Sequence, residues 1–504
     1  MGFLKKYAWI FFALGITLFF FFTRFYNILG LPIFTDEAIY IRWSQIASND
    51  AAWRFISLTD GKQPMYVWVT MIILKLIHDP LLAGRAVSVM AGFFSMIGLF
   101  FLTKEVFRNK KIALLVSFIY VLYPFALVYD RMALYDSMVA MFIIWSLYFE
   151  ILLVRFMRLD LAMILGMIIG FGMLTKTNAD FAIVLLPFLL LLFDFKHKDW
   201  KKRLGKLFIF AVVAIVIANT MYSILRLSPF FHIIADKNYV FAYRPEELIK
   251  APLAYFIPNL SPLTNWLTIY MTWPFLMLVL ASFLVGKKYM REKLLLFAWF
   301  IVPFFAAALV GRLLYPRFIL FMTMPLLVLG GYGLYFALQF AKKLWLQGIV
   351  IIVFLMLFVI NDYFIITNFV KAAVPRSDKG QFIASWPSGV GVKETVTFIR
   401  EQAKTGKVYI ATEGTFGLMP FSLEMYFYNN PNVTTKGFWP VPDLPPDYLV
   451  AASKQMPTFV VFYQPCPQCV SSGIAPTRWN LTQIMQFRKV EDGNYYTLYQ
   501  LKAK

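Results

Sequence analysis

The sequence predicts an α-helical polytopic membrane protein of about eleven transmembrane helices with a C-terminal extracytoplasmic α/β domain, and three observations predict it. Of 504 residues, 60% are hydrophobic and only 15% charged, and the mean hydropathy is +0.67, well above that of a water-soluble globule. Apolar runs recur at the roughly 20-residue length that crosses about 30 Å of hydrocarbon as helix. They are uninterrupted, whereas barrel strands alternate polar and apolar residues. Finally, 48 Lys and Arg stand against 27 Asp and Glu, a net charge of +21, and the basic residues cluster between the apolar runs. In a soluble protein that excess would suggest nucleic acid. In a membrane protein it is the orientation signal of cytoplasmic loops, and no nucleic-acid partner is expected.

The first run, Tyr7 to Phe22, follows Lys5-Lys6 and has no small-residue cleavage site after it, so it reads as a spanning helix that starts in the cytoplasm. Basic clusters recur at Lys104/Arg108/Lys110/Lys111, Arg155/Arg158, Lys196 to Lys206, Lys287/Lys288/Arg291/Lys293 and Lys342/Lys343. All are expected in the cytoplasm. The stretch Met65 to Ile77 is short and contains Lys75, and as a span it would put Lys104 to Lys111 outside. It reads instead as a helix along the outer interface. The spans then fall near 7–27, 81–103, 112–128, 137–154, 161–175, 179–195, 207–227, 266–286, 294–310, 316–340 and 345–367.

Two domains follow: a transmembrane domain, 1–367, and an extracytoplasmic domain, 368–504. The second changes composition, with Pro and Gly punctuation, a helix-like run Lys393 to Lys404, and strand-like runs at Lys407 to Ile410, Thr458 to Tyr463 and Asn494 to Leu501. About 135 residues suffice for a small domain of this kind. The scheme describes a multi-pass protein of the plasma or inner membrane, with membrane lipids as its solvent and partner.

Ionisable residues beside membrane helices are costly, so those on the outer, non-basic side are the candidates for chemistry. Thr35-Asp36-Glu37 opens the first outer loop. As structure, Thr35 or Asp36 would cap a helix; as chemistry, the pair is an acid–base candidate, and Lys62 in Asp60-Gly-Lys-Gln-Pro64 brings a cation to the same surface. Tyr129-Asp130-Arg131 and Asp136 lie in the second outer turn. Asp130 and Arg131 read as a surface ion pair, and Asp136 as a helix cap or as a second carboxylate for a divalent cation or a sugar hydroxyl. Lys176, Arg312 and Arg317 would snorkel by default, but Lys62, Lys176 and Arg317 near carboxylates also suit a phosphate at headgroup depth. Cys466-Pro-Gln-Cys469 lacks further ligands for zinc, since the tail contains no His. A disulfide and two free thiols both remain open. Asn432-Val-Thr and Asn480-Leu-Thr match glycosylation sequons, a pattern that arises easily by chance.

Taken in order, Asp36-Glu37, Asp60-Gly-Lys-Gln-Pro64, Arg131-x4-Asp136, Thr175-Lys176 and Tyr315-x-Arg317 resemble the membrane glycosyltransferases of the GT-C class, in the protein O-mannosyltransferase-like branch that includes the lipid A aminoarabinose transferases. The resemblance covers about residues 1 to 340. It implies an inverting transfer of a sugar from a polyprenyl-phosphate donor to a hydroxyl acceptor at the extracytoplasmic face, the acceptor being protein, glycolipid or wall polymer. It implies that Asp36, with Glu37 beside it, acts as base or orients the acceptor, that Asp136 is the second-loop carboxylate, and that Lys62, Lys176 and Arg317 bind the donor phosphate, with Arg131 secondary. Some relatives have a basic residue where this chain has Ile39, and an acidic one where it has Gly61. A divalent cation at the outer-loop carboxylates is left open. The alternative from another class is a transporter or flippase for a lipid-linked saccharide, which would place ionisable or helix-breaking residues at mid-membrane.

Overall fold

A computed structural model describes residues 2–251, 253–463, 474–490 and 494–502. Cys466 and Cys469 lie outside the described residues. The chain forms two compact units, one of residues 1–27, 54–68 and 85–375, the other of residues 28–53, 69–84 and 376–504.

The first unit is helical. Among the described residues, six helices are long and apolar enough to span a membrane: Pro80–Phe107, Tyr135–Phe156, Trp200–Leu227, Lys287–Val310, Pro316–Phe340 and Leu344–Thr367. Two bent pairs raise the number to eight, and Trp9–Phe25, Leu159–Met173 and Thr177–Leu191 are shorter apolar helices. By this criterion the number of spans is below the expected eleven, although each expected segment is helical. Three of those segments are not straight α-helices.

The expected span 112–128 is Lys110–Val121 followed by Pro124–Asp130 at an angle of 60°. Pro124 has no N–H to give the Tyr120 carbonyl four residues back. The expected span 266–286 is Phe256–Met271 followed by Trp273–Leu284, bent by 95°, at Thr272 with φ of 57° and just before Pro274. The expected span 179–195 is a short α-helix, Phe181–Val184, flanked by the 3-10 segments Thr177–Asp180 and Leu186–Leu191, with Pro187 in the second.

The innermost helix is Leu320–Phe340, buried along most of its length. Small residues let its neighbours approach: a side chain on Gly330 would meet the Phe275 ring, on Gly331 Val116, and on Gly333 the backbone of Leu278. Arg155 bridges Glu105 at 2.7 Å and Glu292 at 3.1 Å, tying three helix ends together about 28 Å along the helix from Asp136 at 1.5 Å per residue, close to one hydrocarbon thickness.

The second unit carries a five-stranded sheet of β1 (Val408–Glu413), β2 (Val433–Phe438), β3 (Thr458–Phe462), β4 (Leu481–Arg488) and β5 (Tyr495–Leu501), in the order β2-β1-β3-β5-β4. The strands β2, β1 and β3 run parallel, and β5 and β4 continue antiparallel. The core on one face gathers Phe438, Leu449, Val460, Phe462, Trp479 and Leu501. The helix Val392–Thr405 lies where a helix-like run was expected. The expected strands correspond to β1, β3 and β5, whereas β2 and β4, the two edges, were not foreseen. Edge strands carry polar residues that discourage further pairing, here Thr435 and Lys436 in β2 and Gln483, Gln486 and Arg488 in β4, so their apolar alternation is faint.

This unit also contains residues 28–53. The helix Thr35–Asn49 packs on the helix Leu418–Phe427: Arg42 pairs with Glu424 at 2.8 Å, and the Gln45 amide donates to the Met425 carbonyl at 2.8 Å.

Candidate active site

In the first unit, the 3-10 turn Ile56–Asp60 ends at Gly61, whose φ is +65°. A side chain there would meet Lys237 Cβ at 2.5 Å and the Ile233 carbonyl at 2.7 Å. The acidic residue that some relatives have at this place is therefore excluded by a close helix, Ile233–Phe241. The loop continues through Gln63, whose amide donates to Thr177 Oγ1 at 2.9 Å, and Met65, whose N–H donates to the Leu174 carbonyl at 3.0 Å. These bonds place Lys62 beside the turn that carries Lys176.

The Lys176 ammonium donates to Asp136 Oδ1 at 2.7 Å and lies 4.5 Å from the centre of the Phe318 ring. Burial lowers its pKa most; Asp136 opposes the shift, while Arg317 and Lys62 add to it. Lys176 and Arg317 approach the same Phe318 ring. Arg317 stacks over Tyr315 and Phe318. Asp60 is shared by Lys62 at 3.6 Å and Lys237 at 2.6 Å. Lys62, Lys176, Lys237 and Arg317 thus gather beside Asp60 and Asp136, donors of the kind that hold a phosphate.

Thus Lys62, Lys176, Arg317 and Asp136 come together in one unit. Asp136 sits in the first turn of Tyr135–Phe156, and the N-cap position is Leu134. Lys237 was missed because it lies within what reads as a featureless outer loop. Nothing in the sequence sets it apart from Arg244 and Lys250 in the same loop.

Asp130 and Arg131 are not a surface pair. Both are buried, and they serve different partners. Asp130 faces Arg24 at 3.4 Å, Ser137 at 2.8 Å and the Tyr120 hydroxyl at 3.2 Å. Arg24 also donates to the Tyr120 carbonyl at 3.2 Å, the group that Pro124 cannot serve. Arg131 donates to the carbonyls of Thr23, Arg24, Tyr26 and Asn27, capping the helix Gly2–Phe25 with a cation where its dipole is negative. Apolar surroundings forced both charges to find buried partners.

In the second unit, Asp36 and Glu37 begin the helix Thr35–Asn49. Neither Thr35 nor Asp36 is the N-cap; that position is Phe34, and the buried Glu37 carboxylate accepts its N–H at 2.9 Å. Thr35 instead reaches the Pro387 carbonyl through its hydroxyl at 3.0 Å and its N–H at 3.1 Å. Among the described residues, no three His, Cys, Asp or Glu side chains gather as metal ligands.

This architecture is found in solved structures of other membrane proteins. It is shared with ArnT from Cupriavidus metallidurans in the apo state, at 12% identity and a TM-score of 0.56 over 97% of each chain. The same protein bound to undecaprenyl phosphate gives 12% identity and 0.55 over 98% of each chain. The archaeal oligosaccharyltransferase AglB from Archaeoglobus fulgidus, in complex with an inhibitory peptide and a dolichol-phosphate, gives 13% identity and 0.53, covering 91% of this chain and 69% of that one. Residues 61–222 match the model of the dolichyl-phosphate-mannose-protein mannosyltransferase family, a segment that holds Lys62, Arg131, Asp136 and Lys176. No curated protein sequence matches the chain. None of these likenesses supports the transporter alternative.

Proposed function

We propose that the chain is an inverting glycosyltransferase that moves a hexosyl or pentosyl group from a polyprenyl-phosphate donor to a hydroxyl acceptor at the extracytoplasmic membrane face. The observation that carries this reading is the convergence of Lys62, Lys176 and Arg317 beside Asp136, in a fold whose relatives have been seen with undecaprenyl phosphate and dolichol-phosphate.

The chemistry is consistent with those groups. An acceptor oxygen attacks C1 from the face opposite the phosphate, and the C1–O bond to phosphate breaks. An alcohol is too weak an acid to ionise beforehand, so its proton passes to Asp36 as the new bond forms. The leaving phosphate gains a second negative charge, which the fixed cations stabilise without reorganising. Asp136 holds Lys176 in place for that role, and Glu37 fixes the start of the helix that carries Asp36. Placing the cations at headgroup depth lets the prenyl chain stay among lipid tails.

The test is turnover. Purified protein in lipid is incubated with a set of labelled polyprenyl-phosphate sugars, and release of polyprenyl phosphate is measured with candidate protein, glycolipid and polymer acceptors. Turnover of one donor class with inversion at C1 is expected. Binding of these lipids with no turnover under any acceptor condition would refute the reading.

A further inference from the structure

The second unit contains a buried lysine that the reaction above does not use. Lys489 follows β4, is 1% exposed, and closes the hairpin to β5 by donating its backbone N–H to the Asn494 carbonyl at 2.8 Å. Its ammonium donates to two successive carbonyls, Ser385 at 3.3 Å and Trp386 at 3.2 Å, and sits 5.6 Å from the Tyr463 ring centre. Glu413 is the carboxylate that favours its charge, with one oxygen accepting the Tyr463 N–H at 2.8 Å. Burying an ammonium group is expensive, and a methionine would fill the same volume at less cost. The group is therefore best explained by what it holds.

It holds a turn. Two successive carbonyls aimed at one point repel each other unless a donor lies between them. Immediately after them, Pro387 accepts both bonds from Thr35, Ser388 forms an antiparallel bridge with Phe34, and Gly389 donates its N–H to the Ile33 carbonyl at 2.7 Å. The only covalent step between the lysine-held carbonyls and the bonds to Thr35 is one residue, and Asp36 is the next residue after Thr35.

We propose that Lys489 is a positioning residue for Asp36, acting through the Ser385–Gly389 turn. The inference rests on the role given to Asp36 above. It makes the C-terminal domain part of the reacting geometry, since a displacement of about 1 Å at a catalytic group costs on the order of a hundredfold in rate.

The test uses the full-length protein in lipid, with Lys489→Met, Thr35→Val and the double variant. Lys489→Met is expected to lower kcat for transfer about ten- to a hundredfold while leaving the affinity for undecaprenyl phosphate unchanged. Hydrogen exchange should accelerate in peptides covering 33–40 and 385–389, with the helix Val392–Thr405 and β1 as protected as in the wild type. Thr35→Val loosens the same turn from its other side, so the double variant should be no worse than the more severe single one. Unaltered exchange at 33–40, acceleration throughout the domain, or additive effects of the two substitutions would each overturn the proposal. If the wild type shows no transfer, the proposed function fails, and the exchange pattern still decides whether Lys489 positions the Asp36 segment.

Discussion

Lys176 reaches Asp136 across 2.7 Å, joining the turn after the helix Leu159–Met173 to the first turn of Tyr135–Phe156. The pair explains how a half-buried cation can be held in one place by a carboxylate of the same unit. It also ranks the cations, because losing Lys176 strands a buried carboxylate whereas losing Lys62 leaves Asp60 with Lys237.

Neutralising Lys62, Lys176 or Arg317 to Met is expected to weaken polyprenyl-phosphate binding and slow transfer. A charge-assisted hydrogen bond contributes roughly 1.5–3 kcal/mol, or about ten- to a hundredfold. Lys176→Met should be the most severe and Lys62→Met the mildest. Arg317→Lys should restore little if the guanidinium acts through two donors. Isothermal binding and initial rates measure both effects, and three wild-type profiles would leave these cations as interface anchors.

Gly61→Ala should raise the donor KM with a smaller effect on kcat. The substitution meets Lys237 and the Ile233 carbonyl and occupies a positive φ, so the loop must shift and carry Lys62 with it. A cost of about 1 kcal/mol or more is expected from the conformation alone. Unchanged donor kinetics would show that the loop's placement does not matter to the phosphate site.

Asp36→Asn should lower transfer by roughly 10² to 10⁴ with donor affinity unchanged or slightly improved. Glu37→Gln keeps an oxygen to accept the Phe34 N–H and should be milder. Initial rates against donor concentration for both variants decide the matter; the reverse ranking would move the base to Glu37, and near-normal turnover by Asp36→Asn would end the proposed mechanism.

Lys489 makes the second unit's stability depend on pH. Burial lowers the pKa of its ammonium group to about 7, whereas an unfolded lysine titrates near 10.4. Between those values the unfolded chain binds more protons, so stability should rise as the pH increases from about 7 towards 10. The excess approaches one proton, and Lys489→Met should flatten the slope. Hydrogen exchange of β1 and β3 across that range, corrected for the intrinsic rate, measures it.

For orientation, a chain whose two cysteines are replaced by serine can carry single cysteines at Ala52, Thr415 or Lys201, all exposed. A membrane-impermeant reagent on intact cells should label the first two and not the third. Labelling at Lys201 would invert the arrangement proposed from the basic loops.

What could be read from the sequence follows from which forces leave a local mark. Apolar runs and cations beside their ends are local, so the helices, and Lys62, Lys176 and Arg317 as a candidate group, were legible. The bends at Tyr123 and Thr272 were not, because Pro124 and Pro274 sit inside runs whose hydropathy barely changes. Nothing in the sequence singles out Arg24, and only packing reveals that it serves Asp130 and the Tyr120 carbonyl. Lys489 and Lys237 were invisible for the same reason: their partners, Ser385 and Trp386 in one case and Asp60 in the other, lie more than 100 residues away. Least legible was that Thr35–Asn49 packs with Leu418–Phe427, since nothing in either helix names the other.

That last pairing sets an order of events during synthesis. Thr35 waits for Pro387, 352 residues later, and Arg42 for Glu424, 382 residues later, so every membrane helix is made before the acid-bearing segment can dock. Lys489, translated later still, completes the turn that receives it. A chain interrupted before that point would carry Lys62, Lys176 and Arg317 already, while the turn that receives Thr35 still lacked its lysine.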